Sequence, residues 1–372
     1  MPELPEVEAE RRLMETHLVG KRVATVVARE QGGGPRNGLF DDKVIGEGVT
    51  PERFVAALTG VTVLSAKRKG KQLYLELDSA RHLLIHNGMT GALLVRGRRA
   101  PAYKNAKFDE QWPPRFCKFE LKTQDGTDVA FVDSRRFGRA YLRGADAEAV
   151  SPLADLAVDP FVSELDLPTM VAGFAARSAP IKAVLLDQRA VVCGVGNWIA
   201  DEVLYQSRVL PSTPANALAP EAVADLRGAL KEVLRVACDA DAEATQFPRT
   251  WLFHYRWAKQ TSGSIASPLG RIHFATVGGR TTAFVPAKQT KRSSGGTPAK
   301  TGGNATPTKK RRPAVSSSSS SSDGGGGADD GGNVTSSPPA APDATAESPP
   351  TAKKRRSARL VPSSSSSLSY PS

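Results

Sequence analysis

From residue 290 onward the sequence gives up the means to build a core. Residues 290–372 are mainly Ser, Gly, Pro, Ala and Thr, with a serine run at 316–322 and four glycines at 324–327. Such a segment cannot bury enough apolar surface to offset its conformational entropy, so it is expected to be a disordered tail. Folding is thereby confined to residues 1–289, which is room for two domains. The tail carries net +7 of the chain's formal +12, leaving +5 on the rest. Both parts are basic, which points to an anionic partner. No apolar run approaches the roughly 20 residues of a membrane helix, so no membrane association is expected. Cys117, Cys193 and Cys238 never come near CxxC spacing, which rules out a disulfide scaffold and a Cys-type zinc site.

Two textures follow one another before the tail. In residues 1–146 a helical stretch after Pro5 places Val7, Met14 and Leu18 on one face and stops at Gly20. Strand-like runs then dominate, at 22–28, 61–67, 72–78, 82–86, 91–95, 118–122, 128–132 and 139–143. Leu73, Leu75 and Leu77 alternate with Tyr74, Glu76 and Asp78, the period of a half-buried strand. A short helix at 51–58 fits between Thr50 as cap and Gly60 as stop. This pattern predicts an antiparallel β-sandwich with flanking helices. Residues 147–289 turn helical, at 169–177, 181–188, 198–207 and 220–238, and end in a β-like segment at 271–285 with a Gly278-Gly279 turn. The overall class is α+β.

The chemistry concentrates at the start, Met1-Pro2-Glu3-Leu4-Pro5-Glu6-Val7-Glu8. Proline and acids in a first helical turn are ordinary capping residues. Removal of Met1 would also expose Pro2 as a secondary amine beside carboxylates. An α-amino group titrates near about 8, so part of it is a neutral nucleophile at neutral pH. Its adduct with a sugar aldehyde carbon is a permanently cationic iminium, which can draw electrons through elimination of the 3′ and then the 5′ phosphate. Such a mechanism leaves no place for an N-terminal targeting peptide, and none is expected.

That start and Gly194-Val195-Gly196-Asn197-Trp198-Ile199-Ala200-Asp201-Glu202 together resemble the formamidopyrimidine-DNA glycosylase family. His86-Asn87-Gly88-Met89-Thr90-Gly91, Asp133-Ser134-Arg135-Arg136-Phe137-Gly138 and Gly278-Gly279-Arg280-Thr281-Thr282 follow in the family's order. The resemblance implies a bifunctional glycosylase and AP lyase for oxidised or ring-opened purines in duplex DNA, working as a monomer without metal or organic cofactor. It implies that Pro2 is the Schiff-base nucleophile, Glu3 the proton donor at the sugar, and Glu6 its support. Lys71, in a basic hairpin, would hold phosphate and assist the lyase steps. Met89, Arg135 and Phe137 would fill the void left by the extruded nucleotide. Lys182 and Asn197 would sit at the DNA backbone in a helix-two-turn-helix, with Glu202 internal, and Arg280 would contact phosphate from a β-hairpin finger.

The finger region lacks the four cysteines of the bacterial pattern, so it resembles the zincless plant-type branch. Only residues 239–251 separate the long helix from the finger, which leaves little room for a loop over an extruded 8-oxoguanine and favours formamidopyrimidines and further-oxidised purines. The tail holds Lys309-Lys310-Arg311-Arg312 and Lys353-Lys354-Arg355-Arg356, expected to serve nuclear import and nonspecific DNA attraction. Two alternatives stay open: a relative devoted to pyrimidine lesions or abasic sites, and a non-catalytic protein that binds damaged DNA or chromatin.

Overall fold

The structure, a computed structural model, describes residues 2–100, 111–144, 146–257 and 263–293. Helix α1 (Leu4–His17) starts where Pro5 presets φ in the first turn and the Glu6 carboxylate reaches back to the Glu3 N–H at 3.0 Å. Its Leu4 enters the core of the second half, while Val7, Met14 and Leu18 enter the core of the first. One helix therefore joins the two cores.

Two antiparallel four-stranded sheets form the first half. One has the order β1 (Val23–Val27), β6 (Cys117–Thr123), β7 (Asp128–Val132), β5 (Ala92–Val95); the other runs β2 (Val63–Lys69), β3 (Gln72–Leu77), β4 (Arg81–His86), β8 (Arg139–Gly144). Helix α2 (Pro51–Leu58) packs beside β1, capped by the Thr50 side chain. Leu73, Leu75, Leu83 and Ile85 meet Phe119, Leu121, Val129 and Phe131 between the sheets. The expected sandwich is present. Tyr74 departs from the half-buried reading: it is only 3% exposed, packed with Leu84, Ala147 and Leu153. The chain after β8 folds back over that face, and Glu148 accepts the Tyr74 hydroxyl.

The second half packs α3 (Leu167–Ala175), α4 (Ile181–Leu186), α5 (Asn197–Gln206) and α6 (Pro220–Asp239) around Trp198, Ile199, Val203, Leu226, Leu230 and Val233. A small three-stranded sheet follows, β9 (Ser264–Ile265), β10 (Ile272–Val277) and β11 (Arg280–Phe284). Its own cluster of Leu252, Leu269, Ile272, Ala283 and Val285 closes the hairpin. Within residues 239–251, Phe247 is buried against Trp198, Trp251 and Phe253.

The expected domain end at Gln289 falls short of what is paired. Thr290 bridges to Val209 and Ser293 to Leu218, and Arg292 donates to the Ser207 carbonyl at 3.0 Å. Two backbone bridges and one side-chain bond thus tie this stretch to the segment after α5, which composition does not reveal. The tail from residue 294, with both basic clusters, lies outside the described residues.

Candidate active site

The Glu3 carboxylate is buried against the N-terminus of α5. It accepts from the backbone N–H of Trp198 at 2.9 Å and of Ile199 at 3.1 Å. Free amides at a helix N-terminus attract an anion, so Glu3 acts as a cap supplied from the other end of the chain. Asn197 is the first helical residue, and Gly196 holds the N-cap position. Gly196 makes the approach possible, since a Cβ there would lie 2.1 Å from the Glu3 Cδ. Gly194 has φ +84°, the left-handed form that glycine adopts without penalty; Gly196 does not, so its glycine answers to space alone.

Glu6 lies half-buried beside Glu3 and accepts the Trp198 Nε1–H at 3.0 Å. Burial, then the Glu3 charge, push its carboxyl up to about 7. Burial likewise raises the Glu3 carboxyl, against the pull of Lys71 and of the two amides. A Glu6 carboxyl held near 7, beside a Glu3 carboxyl that burial also raises, suits proton transfer. The capping reading of this N-terminus holds twice over, since Glu6 reaches back to the Glu3 N–H and Glu3 itself caps α5.

Lys71 stands in the turn between β2 and β3 and donates to the Val195 carbonyl at 2.9 Å. Burial lowers its ammonium, Glu3 and Glu6 raise it, and Arg280 lowers it again. The turn is fastened by buried ion pairs: Arg68 Nε donates to Glu8 at 3.0 Å, its Nη1 to Asp159 and to the Gly70 carbonyl, and Gly70 N–H donates to Asp159 at 2.7 Å. Gln72 pairs with His86, and His86 with Arg139. The hairpin turn, the loop after β4 and the loop before β8 thus leave one end of the same sheet.

Those two loops carry Met89, Arg135 and Phe137. Thr90 Oγ1 donates to Asp133 Oδ1 at 2.6 Å, and Gly138 N–H donates to Asp133 Oδ2 at 2.6 Å. Gly88 lies directly against the Phe137 backbone. Met89 is half-buried, whereas Arg135 and Phe137 stand exposed, the guanidinium 5.1 Å from the ring centroid. An exposed phenyl ring on a braced loop has the form of a wedge.

The hairpin of β10 and β11 lies against α4, with Gly278 close to Ala183. Asn197 Nδ2 donates to the Thr281 carbonyl at 3.0 Å, and Arg280 projects exposed from the start of β11. Lys182 contradicts the expectation of a contact to the DNA backbone. It is fully buried, donating to Asp201 at 2.5 Å and to Thr282 Oγ1 at 2.8 Å. Asp201 also accepts from Arg256 at 2.8 Å and from the Ala283 N–H at 3.1 Å. The lysine tethers the hairpin to α4 and α5 because its stem runs inward from a helix buried on that side.

Residues 1–140 match the Formamidopyrimidine-DNA glycosylase N-terminal domain, and residues 156–249 the Formamidopyrimidine-DNA glycosylase H2TH domain. A formamidopyrimidine-DNA glycosylase of Arabidopsis thaliana is 38% identical over 291 residues, 78% of this chain and 71% of that protein. The chain belongs to the formamidopyrimidine-DNA glycosylase family. The family's protein from Paracoccus denitrificans is 35% identical over 240 residues, 64% of this chain and 79% of its own. Among solved structures, the Lactococcus lactis enzyme bound to DNA containing an AP site matches with a TM-score of 0.59 at 25% identity. That match covers 77% of this chain and 99% of that one. The same enzyme in complex with DNA containing an oxidized pyrimidine matches with a TM-score of 0.60 at 26% identity, over 77% and 99% of the two chains.

Glycosylase-family membership also directs attention to residues that the motifs alone left without a role. Trp198 binds Glu6 through its indole. Gln188 braces the Gly194 turn, accepting the Gly194 N–H at 2.8 Å and donating to the Val195 carbonyl at 2.9 Å. His86 accepts the Gly88 N–H on Nδ1 at 3.1 Å, which leaves the proton on Nε2, and burial holds its pKa down to about 4. Only the position of His86 at the head of the His86–Gly91 motif could have flagged it. Nothing local tied Asp159 to this turn, since Arg68 and Gly70 lie some 90 residues earlier.

Proposed function

We propose that the chain is a bifunctional DNA glycosylase and AP lyase that removes oxidised or ring-opened purines from duplex DNA. The observation that carries this reading is the junction of the buried Pro2–Glu3 start, the α5 N-terminus and Lys71 at one point between the two halves. The family's names support the formamidopyrimidine substrate class. With Met1 removed, the Pro2 amine attacks C1′ of the damaged nucleotide and the bond from C1′ to the base breaks. The base departs with its electron pair and takes up a proton. The C1′–O4′ bond then opens, the ring oxygen taking up a proton. The cationic iminium so formed permits loss of a C2′ proton and expulsion of the 3′ phosphate, after which a second elimination releases the 5′ phosphate. Glu3 supplies the proton at the sugar, with Glu6 beside it, and Lys71 holds phosphate charge near the eliminating carbon.

Extruding a base costs a few kcal/mol, which Met89, Arg135 and Phe137 offset by entering the stack. Asn197 and Arg280 hold the backbone. The protein acts as a monomer, and the basic clusters of the tail direct it to the nucleus. Borohydride added during reaction with an abasic or damaged duplex should trap a covalent adduct, which mass spectrometry should locate on the peptide that starts at Pro2. A protein with one extra residue before Pro2 that traps and cleaves as well would overturn the assignment and move the nucleophile to a lysine.

A further inference from the structure

Arg136 lies between two of the three residues assigned to the void, and its side chain runs to Asp41. Its backbone is left-handed, φ +57°, a form that a residue with a long side chain avoids. The guanidinium forks onto Asp41: Nε donates to Oδ2 at 2.8 Å and to Oδ1 at 3.1 Å, and Nη2 donates to Oδ1 at 2.8 Å. Asp41 is fully buried and is held in turn by Lys118 at 3.1 Å, which also pairs with Glu30. Lys118 and Glu30 are each about 1% exposed, and Lys118 stands on β6 in the opposite sheet. Two cations and two carboxylates thus balance in a row from the loop tip into the sandwich.

The other ties of the wedge loop are to its own backbone and neighbours: the Arg135 N–H donates to Asp133 and Thr90, the Gly138 N–H to Asp133, and Arg139 Nη1 to the Arg136 carbonyl. Lys43 lies 5.7 Å from the Phe137 ring centroid. A wedge that enters a base stack has to transmit force to the fold, and the Arg136 side chain ties the loop tip to a fully buried carboxylate from another loop. A bidentate guanidinium fixes direction as well as distance. We propose that the Arg136–Asp41 pair is a positioning site for base extrusion, clamping the wedge loop so that Arg135 and Phe137 stand out together toward DNA. This rests on the proposed glycosylase reading, in which those two residues occupy the void. Arg135 is the exposed donor nearest the orphaned partner base in that reading, so the clamp also sets how sharply the enzyme distinguishes opposite bases.

The test uses the full chain with Arg136→Asn and Arg136→Lys. Asn accepts the left-handed backbone, and Asp41 keeps Lys118, so folding is retained. Each protein is given duplexes with one formamidopyrimidine opposite each of the four bases, and a duplex with a preformed abasic site. Arg136→Asn should excise the base on the order of tenfold more slowly and lose its ranking of opposite bases, with abasic-site cleavage within about twofold. Its melting temperature should stay within about 4 °C of the parent. Arg136→Lys should fall between, having charge without the fork. Fluorescence of 2-aminopurine beside the lesion should report weaker extrusion in the same order. Unchanged excision and ranking in Arg136→Asn, or an equal loss on both kinds of duplex, would overturn the clamp. A parent protein that neither excises nor cleaves would instead overturn the glycosylase reading beneath it.

Discussion

The carboxylate of Glu3 caps a helix whose first turn lies 195 residues further along the chain, through the N–H groups of Trp198 and Ile199. The residue assigned to protonate the sugar is therefore also a tie between the two halves of the molecule. Glu3→Gln keeps the size of the side chain and one acceptor oxygen. It should abolish removal of a damaged base and spare most of the action on preformed abasic sites, where no base has to leave. Glu3→Ala should in addition lower stability by about 1–3 kcal/mol, because two buried donors lose their acceptor. Equal loss of both activities in Glu3→Gln would argue for a purely structural role.

Lys182 separates a tether from a phosphate contact. Lys182→Met removes one partner of a buried ion pair and should cost about 3 kcal/mol of stability, read as a fall in melting temperature without DNA present. A phosphate-binding lysine would leave the melting temperature alone and change the salt dependence of DNA affinity.

Glu202 makes stability depend on pH. Its side chain accepts from Gln206 and from the Phe253 N–H, and burial pushes its carboxyl up to about 7 from an ordinary 4.5. The folded protein then holds a proton that the unfolded chain has released. Stability from this group is complete below the ordinary value and declines as pH rises toward 7. Glu202→Gln should flatten the melting curve between about pH 5 and pH 8. Parallel pH profiles of the two proteins would refute the buried, proton-holding form.

Arg280 projects exposed from the start of β11. Arg280→Ala should leave folding intact, weaken DNA binding, and reduce the slope of log affinity against log salt by about 1. An unchanged slope would remove Arg280 from the DNA interface.

The paired segment 290–293 changes where the tail can be cut. Truncation after Ser293 should fold and cleave like the full chain, bind nonspecific DNA less tightly, and lose nuclear enrichment in cells. Truncation after Gln289 should melt lower, because the backbone bridges of Thr290 and Ser293 and the Arg292 side-chain bond go with it. Equal melting temperatures for the two truncations would show that these pairings add nothing.

Helix α2 was readable to the residue, because Thr50, Pro51 and Gly60 punctuate it locally. The strands from 72 to 86 and from 128 to 132 were readable from alternation and turn residues, and the motif order pointed to the family, Pro2, Lys71 and Arg280. These are local signals, written within a few residues of where they act. What tertiary structure alone decided lies in side chains with distant partners. The cap of α5 comes from Glu3 because the cap geometry requires only an oxygen near two amides, from whatever part of the chain delivers it. Lys182 turns inward because Asp201 and Thr282 wait there, and nothing in its own helix announces them. Tyr74 is covered by a segment 74 residues later, at Glu148. Arg136, one of two adjacent arginines in a loop, differs from Arg135 only through Asp41, 95 residues earlier. Sequence period determines which face a side chain takes; the charge or acceptor that meets it there belongs to the fold.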